Sequence, residues 1–322
     1  MNQSSCHDQG KPRRIAIIGC GLIGQAWAVV FVRAGYEVAL FDQDIAVARA
    51  APAAITERLV DLEKAGLLSP SQMETVQTRV LVSDKLEHAL KNAFYVQENT
   101  AENLQVKARV TAEIDAALAP DVPIGSSTSG IPASSYANEV SGRSRCIVAH
   151  PINPPHLVPA VEIVPAPFTA PEVTEKVREL MQQVGQSAIV LQKEVDGFVV
   201  NRLQGALLRE AFDLLAKGIA SADGIDRAIS DGLGLRWALM GPFQTIHLNA
   251  PEGVAQYVQR YGPMYQEMFA NSGEQRDWDN IVTSGLEDDL LARFPLDRLQ
   301  EAQSERDTRL MSLLRALHDP AV

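Results

Sequence analysis

At 322 residues the chain is long enough for two domains, each with its own core, and with 46% apolar and 21% charged residues its composition is that of an ordinary soluble protein. The net charge of −11 supplies no broad basic surface, which excludes nucleic acid and anionic membrane as expected partners but leaves room for a small anionic substrate held by one local cation. Cys6, Cys20 and Cys146 are scattered, without disulfide or metal-ligand spacing, and no run is long enough to span a bilayer; no metal and a cytoplasmic location are expected.

In chain order, the polar stretch 1–12 is expected to be a disordered tail. Ile15 to Ile18 then form a short apolar run, the pattern of a strand buried on both faces. Gly19, Gly21 and Gly24 follow in G-x-G-x-x-G spacing, a helical pattern runs from Gln25 to Ala34, and Glu37 to Phe41 form a second strand ending in Asp42. In this context the glycines permit a tight turn, close approach of a pyrophosphate and close helix packing, while the first amides of the helix, at Leu22 and Ile23, face the phosphates. Asp42 can accept hydrogen bonds from the adenosine ribose and would repel a 2′-phosphate, which predicts NAD over NADP.

A helical stretch from Val47 to Ala65 and a short helix opened by Ser69-Pro70-Ser71 follow. This insert can serve as a cover for substrate or as a structural hairpin. Val80 to Val82 is a predicted strand, and Ser83 is placed to cap a short helix through Ala89. Ala93 to Val96 is the next strand, leading into Gln97-Glu98-Asn99 and Glu102-Asn103. Pro123 to Gly125 is another, followed by Ser126-Ser127-Thr128-Ser129. Polar residues at the ends of parallel strands lie where open α/β sheets bind ligands. Cys146 to Ala149 delivers His150 at a strand end, and Val161 to Val164 carries Glu162 inside an apolar run. A buried Glu162 needs a partner, and His150 supplies one.

Ser187 to Leu191 is the expected last strand. From Asp196 the pattern turns helical, with a long helix from Gly197-Phe198 to Ala216, a second from Ala222 through Ile229 closed by Gly232 to Gly234, and an apolar stripe of Leu310, Leu313, Leu314 and Leu317 suited to a core or a dimer contact. The expected division is a Rossmann-type α/β domain at 13–195 and an all-α domain for substrate binding and dimerisation at 196–322.

The ordered landmarks Val96 to Asn99, Glu102-Asn103, Ser126 to Ser129, His150 through Asn153-Pro154, Val161-Glu162, Gly197-Phe198 through Asn201-Arg202 and Met240-Gly241-Pro242-Phe243, together with the glycine fingerprint, resemble the NAD-dependent 3-hydroxyacyl-CoA dehydrogenase superfamily. The resemblance spans roughly Ile15 to Ala250. Leu235 to Phe243 and Ile246 to Ala250 are most similar to its lambda-crystallin branch, whose recognised activity is L-gulonate 3-dehydrogenase. It implies a C-terminal domain like that of 6-phosphogluconate dehydrogenase, and a homodimer formed through the helices. His150 matches the catalytic base, Glu162 its orienting carboxylate, Ser129 the serine that contacts substrate and nicotinamide, and Asn201 a substrate-contacting asparagine expected from the second domain. Glu102, Lys107 and Asn153 match cofactor-contacting positions.

The chain departs from the acyl-CoA pattern at Ser127 and Gly130, where Asn and Ser are usual, and at Pro155-His156. These changes bear on thioester recognition more than on hydride chemistry. Arg236, between Leu235 and Trp237, is the candidate for a free carboxylate, which an arginine fork matches; an ion pair with an acid of the first domain is the alternative. The expected reaction is NAD-dependent oxidation of the 3-hydroxyl of an L-gulonate-like 3-hydroxy acid, with a short-chain (S)-3-hydroxyacyl-CoA second. L-carnitine ranks third because aromatics are 6% with no obvious cluster in the sequence. A non-catalytic, crystallin-like protein is the alternative from another class.

Overall fold

The computed structural model describes residues 7–8, 11–269 and 282–318. The expected disordered tail lies mostly outside these, but its described parts, β1 (His7–Asp8) and β2 (Lys11–Pro12), pair as a small antiparallel ladder.

The chain divides into two compact units, one reaching Arg202 and resuming at Gln303, the other Leu203–Ala302. The first is built on β3 (Arg14–Ile18), β4 (Glu37–Phe41), β5 (Val80–Val82), β6 (Ala93–Glu98), β7 (Ile124–Ser126), β8 (Cys146–Pro151), β9 (Ala160–Pro165) and β10 (Ser187–Val190). They form one sheet in the order β10-β9-β8-β7-β6-β3-β4-β5, and every neighbouring pair is parallel except β8 with β9. The strand order reverses between β3 and β6, the switch point at which such sheets bind ligands beyond their carboxyl ends.

Period two along β3 explains the double layer. Ile15 and Ile17 enter one core with Trp27, Phe31 and Val38; Ala16 and Ile18 enter the other with Val96, Val110 and Ile114. Helix α1 (Leu22–Arg33) lies in the first layer. The insert, α2 (Ile45–Lys64) and α3 (Pro70–Gln77), joins the same layer through Leu59, Leu62, Met73 and Val76 and is therefore a structural hairpin. Asp44 caps α2 by accepting from the Ala46 amide, and a Ser69–Gln72 capping box opens α3. Ser83 does not cap the next helix, α4 (Leu86–Leu90): the N-cap position falls on Lys85, which makes no side-chain cap, and the Ser83 amide still belongs to the strand ladder through the Leu40 carbonyl. Helix α5 (Leu104–Ala117), capped by Asn103, and the short α6 (Ala133–Tyr136) lie in the second layer, and α7 (Pro171–Gln183) packs in the first.

The division differs from the expected 13–195 and 196–322. Met311 is buried in the first layer with Leu310 and Leu314 packed against it, so the last helix, Leu299–His318, returns to the sheet unit; Leu313 and Leu317 stay exposed. The start of α8 (Val200–Ala216) belongs there as well.

The second unit is helical: most of α8, then α9 (Ala222–Arg227), α10 (Gly234–Trp237), α11 (Pro242–Leu248) and α12 (Val254–Phe269), with Glu287–Arg293 beyond. The glycines at 232 and 234 do not end α9's run. The chain passes through a π turn at Ala228–Leu233 and continues helically through Trp237. His247 is structural, its Nδ1 accepting from the Val254 amide at 3.2 Å. No helix among the described residues is long and apolar enough to cross a membrane.

Candidate active site

The turn after β3 has the geometry the glycine spacing asks for. Gly19 sits at φ +92°, and a Cβ there would lie 2.6 Å from the Asn99 carbonyl oxygen; one on Gly24 would lie 2.0 Å from that of Gly19. A Cβ on Gly21 would meet nothing within 4 Å, leaving the open approach a pyrophosphate needs. Gly21 is the N-cap of α1 and offers no side chain to its amides; the first turn carries no acid, and Leu22 is 58% exposed. The amides of Leu22 and Ile23 are thus left for an anion.

Asp42 at the end of β4 accepts from the Cys20 amide (2.8 Å) and the Asp44 amide (3.0 Å). One of its roughly four acceptor positions holds the glycine turn and one its own turn after β4, and the others remain for a ribose diol. Cys20 is inert: burial, then the Asp42 charge, push its thiol up to about 12. These residues fit a dinucleotide without a 2′-phosphate.

Adjacent register brings the chemistry to the same edge. Glu98, Ser126 and Val148 stand side by side on β6, β7 and β8, and His150 on β8 pairs with Glu162 on β9. The His150 Nδ1 lies 2.8 Å from Glu162 Oε2, with Glu162 fully buried. A carboxylate acceptor there puts the proton on Nδ1 and leaves Nε2 as the acceptor for a substrate hydroxyl.

The other oxygen of Glu162 accepts from the amides of Val199 (2.7 Å) and Val200 (3.0 Å). Burial alone would raise the Glu162 pKa, but the His150 bond and then the two amides more than offset it, so the carboxyl is held below its ordinary value. Those amides are aimed by a left-handed pair, Gly197 at φ +72° and Phe198 at φ +52°. For phenylalanine this costs about 1–2 kcal/mol. The buried Phe198 ring lies 5.5 Å from the imidazole. Sequence reasoning assigned no role to Phe198 or to the two amides; the available signal was a glycine immediately before a large apolar residue at a helix start.

Ser129 is exposed beyond β7 and is held through its backbone. Its amide donates to Glu102 Oε1 at 2.9 Å, and its carbonyl accepts from Asn201 Nδ2 at 2.7 Å. Asn201 thus belongs to the sheet unit and not, as expected, to the second; the amides just before it are tied to Glu162. Glu102 also accepts from Thr128 Oγ1 and the Gly130 amide, so it shapes this loop while remaining half-exposed.

Lys107 is only 1% exposed, and its Nζ lies 3.0 Å from Glu98 Oε2 and 3.7 Å from Glu102. That ammonium joins two acids, and the second of them, Glu102, shapes the Ser129 loop. Asn153 is exposed past the end of β8. Arg236 lies on α10 in the second unit, where its charge reaches Tyr257, and among the described residues it has no ion-pair partner.

A buried His–Glu pair and a dinucleotide turn at one sheet edge are the parts of an NAD-dependent oxidoreductase. Residues 14–195 match the NAD-binding domain of 3-hydroxyacyl-CoA dehydrogenase and residues 197–279 its C-terminal domain; the chain belongs to that family. It is 36% identical to a lambda-crystallin homolog of Bos taurus over 95% of this chain and 96% of that one. To an L-carnitine dehydrogenase of Streptomyces griseus it is 36% identical over 94% and 90%. The solved structure of an NAD+-dependent 5-formyl-3-hydroxy-2-methylpyridine 4-carboxylic acid 5-dehydrogenase superposes with a TM-score of 0.81 at 29% identity, covering 95% of this chain and 99% of that one.

Proposed function

We propose that this dehydrogenase oxidises the 3-hydroxyl of a free 3-hydroxy acid, of the L-gulonate type, to the 3-keto acid. The observation that carries the chemistry is the His150–Glu162 pair, with Glu162 fixed by two backbone amides. His150 Nε2 takes the hydroxyl proton, and Glu162 stabilises the imidazolium that forms. Ser129 Oγ and the second N–H of Asn201 hold the oxygen as charge develops on it. Gly19, Gly21, Leu22, Ile23, Gly24 and Asp42 bind the cofactor, with Glu102 and Asn153 on the loops beside it and Lys107 behind them in the first turn of α5. NAD, when bound, supplies the hydride acceptor.

Two things favour a free acid over a thioester. Ser127 and Gly130 depart from the acyl-CoA pattern, and of two solved relatives that cover 95% of this chain and 99% of their own, the one that superposes better (TM-score 0.81 against 0.67) is a dehydrogenase of a carboxylic acid, the other a 3-hydroxyacyl-CoA dehydrogenase. Arg236 is our candidate for the substrate carboxylate.

A second reading, L-carnitine, gains support from a feature not evident in the sequence. On α12 the Tyr257 and Tyr261 rings lie 4.8 Å apart and the Tyr257 and Tyr265 hydroxyls 3.1 Å apart, within reach of the Arg236 charge. Aromatic faces attract a quaternary ammonium.

We also propose a homodimer. α8 and α12 bury no residue in the single chain, and Leu203, Phe243 and Val258 are among the apolar side chains left exposed.

The discriminating experiment is NADH formation with L-gulonate, L-carnitine, 3-hydroxybutyrate and 3-hydroxybutyryl-CoA. L-Gulonate is expected to give the highest kcat/KM. A lead by L-carnitine would promote the second reading, and a lead by the thioester would overturn the free-acid assignment.

A further inference from the structure

Ser127 is one of the departures from the acyl-CoA pattern, and its side chain is turned into the protein. Its Oγ accepts from the Trp27 indole Nε1 (3.0 Å) and from Gln97 Nε2 (2.7 Å), and it donates to Asn99 Oδ1 (2.7 Å). A hydroxyl has one proton and two lone pairs, so this group is saturated.

Its partners are saturated in turn. The second N–H of Gln97 reaches the Ala149 carbonyl at 3.2 Å, and Gln97 Oε1 accepts from the Tyr95 hydroxyl. Asn99 Nδ2 donates to the Gln97 carbonyl at 2.8 Å and reaches the Ile18 carbonyl at 3.5 Å. Every donor has one acceptor, which also fixes which way both amide side chains face.

The four elements that meet here are those that must be in register for the reaction. Trp27 lies on α1, three residues beyond Gly24, stacked on Phe31 at 5.4 Å. The Asn99 amide donates to the Ile18 carbonyl at 2.6 Å, and the Asn99 carbonyl abuts Gly19, so this residue underlies the dinucleotide turn. Ala149 immediately precedes His150 on β8. Ser127 itself stands two residues before Ser129. The pattern asks position 127 for a short side chain that donates once and accepts twice. An asparagine cannot do this with one atom.

We propose that Ser127 is a positioning residue. Its hydroxyl ties the cofactor helix and the end of β6 and, through Gln97, the strand bearing His150 to the loop bearing Ser129, and so sets the distance between proton acceptor, substrate oxygen and nicotinamide. The proposal rests on the dehydrogenase reading above. It identifies a group that touches neither substrate nor cofactor.

The test uses the full-length protein in three variants, Ser127→Ala, Ser127→Thr and Trp27→Phe. Kinetics would be normalised to sites that bind NADH, and the indole N–H resonances of the three tryptophans recorded by NMR. Trp27→Phe assigns the Trp27 signal. Ser127→Ala is expected to shift that signal and to lower kcat about 10- to 100-fold, with the KM for NAD changed by less than about threefold, because misplacement by a fraction of an ångström acts on the chemical step. Ser127→Thr, which keeps the hydroxyl, is expected to restore both. Trp27→Phe removes one of three bonds and is expected to lower kcat less than Ser127→Ala does.

An unchanged kcat in Ser127→Ala, a matching loss in Ser127→Thr that still binds NADH, or an indole signal indifferent to position 127 would each overturn the proposal. A wild-type protein that binds NADH but oxidises no hydroxy acid would instead overturn the functional reading, and the kinetic role of Ser127 with it; the indole signal would still decide whether the bond exists.

Discussion

The two units satisfy their residues in opposite ways. The sheet unit buries two continuous apolar layers, closes its buried charges on one another and places its titratable residues at one edge. In the helical unit, among the described residues, only Thr245 and Gly253 are fully buried, while Phe243 is 80% exposed and Leu239, Leu248 and Leu203 are more than 60% exposed. A unit of about 100 residues ordinarily needs a substantial core to offset chain entropy. The first unit can hold a precise site by itself; the second has the composition of a core without its burial. The contrast separates chemistry from association, and it can be broken from either side.

Apart from loss of His150 itself, the largest effect is expected from Glu162→Gln. The substituted amide can still be cradled by Val199 and Val200 but no longer stabilises an imidazolium, and kcat should fall about 100- to 1000-fold with little change in NADH affinity. A fall below tenfold would mean that the pair is structural.

Next, Leu203→Asp combined with Phe243→Asp should convert a dimer into monomers in sedimentation velocity. The helical signal of the second unit should weaken while the sheet unit still binds NADH. A wild-type protein already monomeric at micromolar concentration would show that the exposed apolar helices do not serve self-association.

Arg236→Lys should raise the KM for a free hydroxy acid about tenfold and change kcat less than twofold, the signature of lost ground-state recognition by a bidentate fork. Unchanged KM would remove Arg236 from the substrate.

The smallest effect concerns acid stability. Because the folded-state pKa of Glu162 is lowered, its contribution is fully present above the ordinary carboxyl value of about 4.3 and is lost as pH falls through the lower folded value. Glu162→Gln should therefore be less stable than wild type near neutrality by about 1–3 kcal/mol, and the gap should narrow below pH about 4 in denaturant titrations. A gap that widens on acidification would contradict the sign.

Much of the sheet edge was legible because its signals are local. Apolar runs that end in polar residues mark strand ends, and the glycine spacing, Asp42, His150 and Glu162 all lie at such ends or in register across them. What was not legible depends on partners distant in sequence. The stripe on the last helix announces a buried face but not which layer receives it, and Met311 packs in the first unit. The helical pattern after Asp196 marks the change of family domain, which falls between 195 and 197, but carries no sign that the left-handed Gly197–Phe198 pair holds Asn201 against the Ser129 loop. Lys107 matches a cofactor-contacting position by resemblance, and nothing in its local sequence shows that it is buried against Glu98. Three tyrosines at spacings of four become a cluster only once α12 is formed.

The central claim is that His150 takes the proton from a free 3-hydroxy acid as NAD is reduced. Its most direct test is NADH formation from L-gulonate at saturating NAD, measured side by side for the wild-type protein and His150→Ala at equal concentrations of NADH-binding sites. The account predicts steady turnover by the wild type and a loss of at least about 1000-fold in the variant. Equal rates for the two proteins would contradict it.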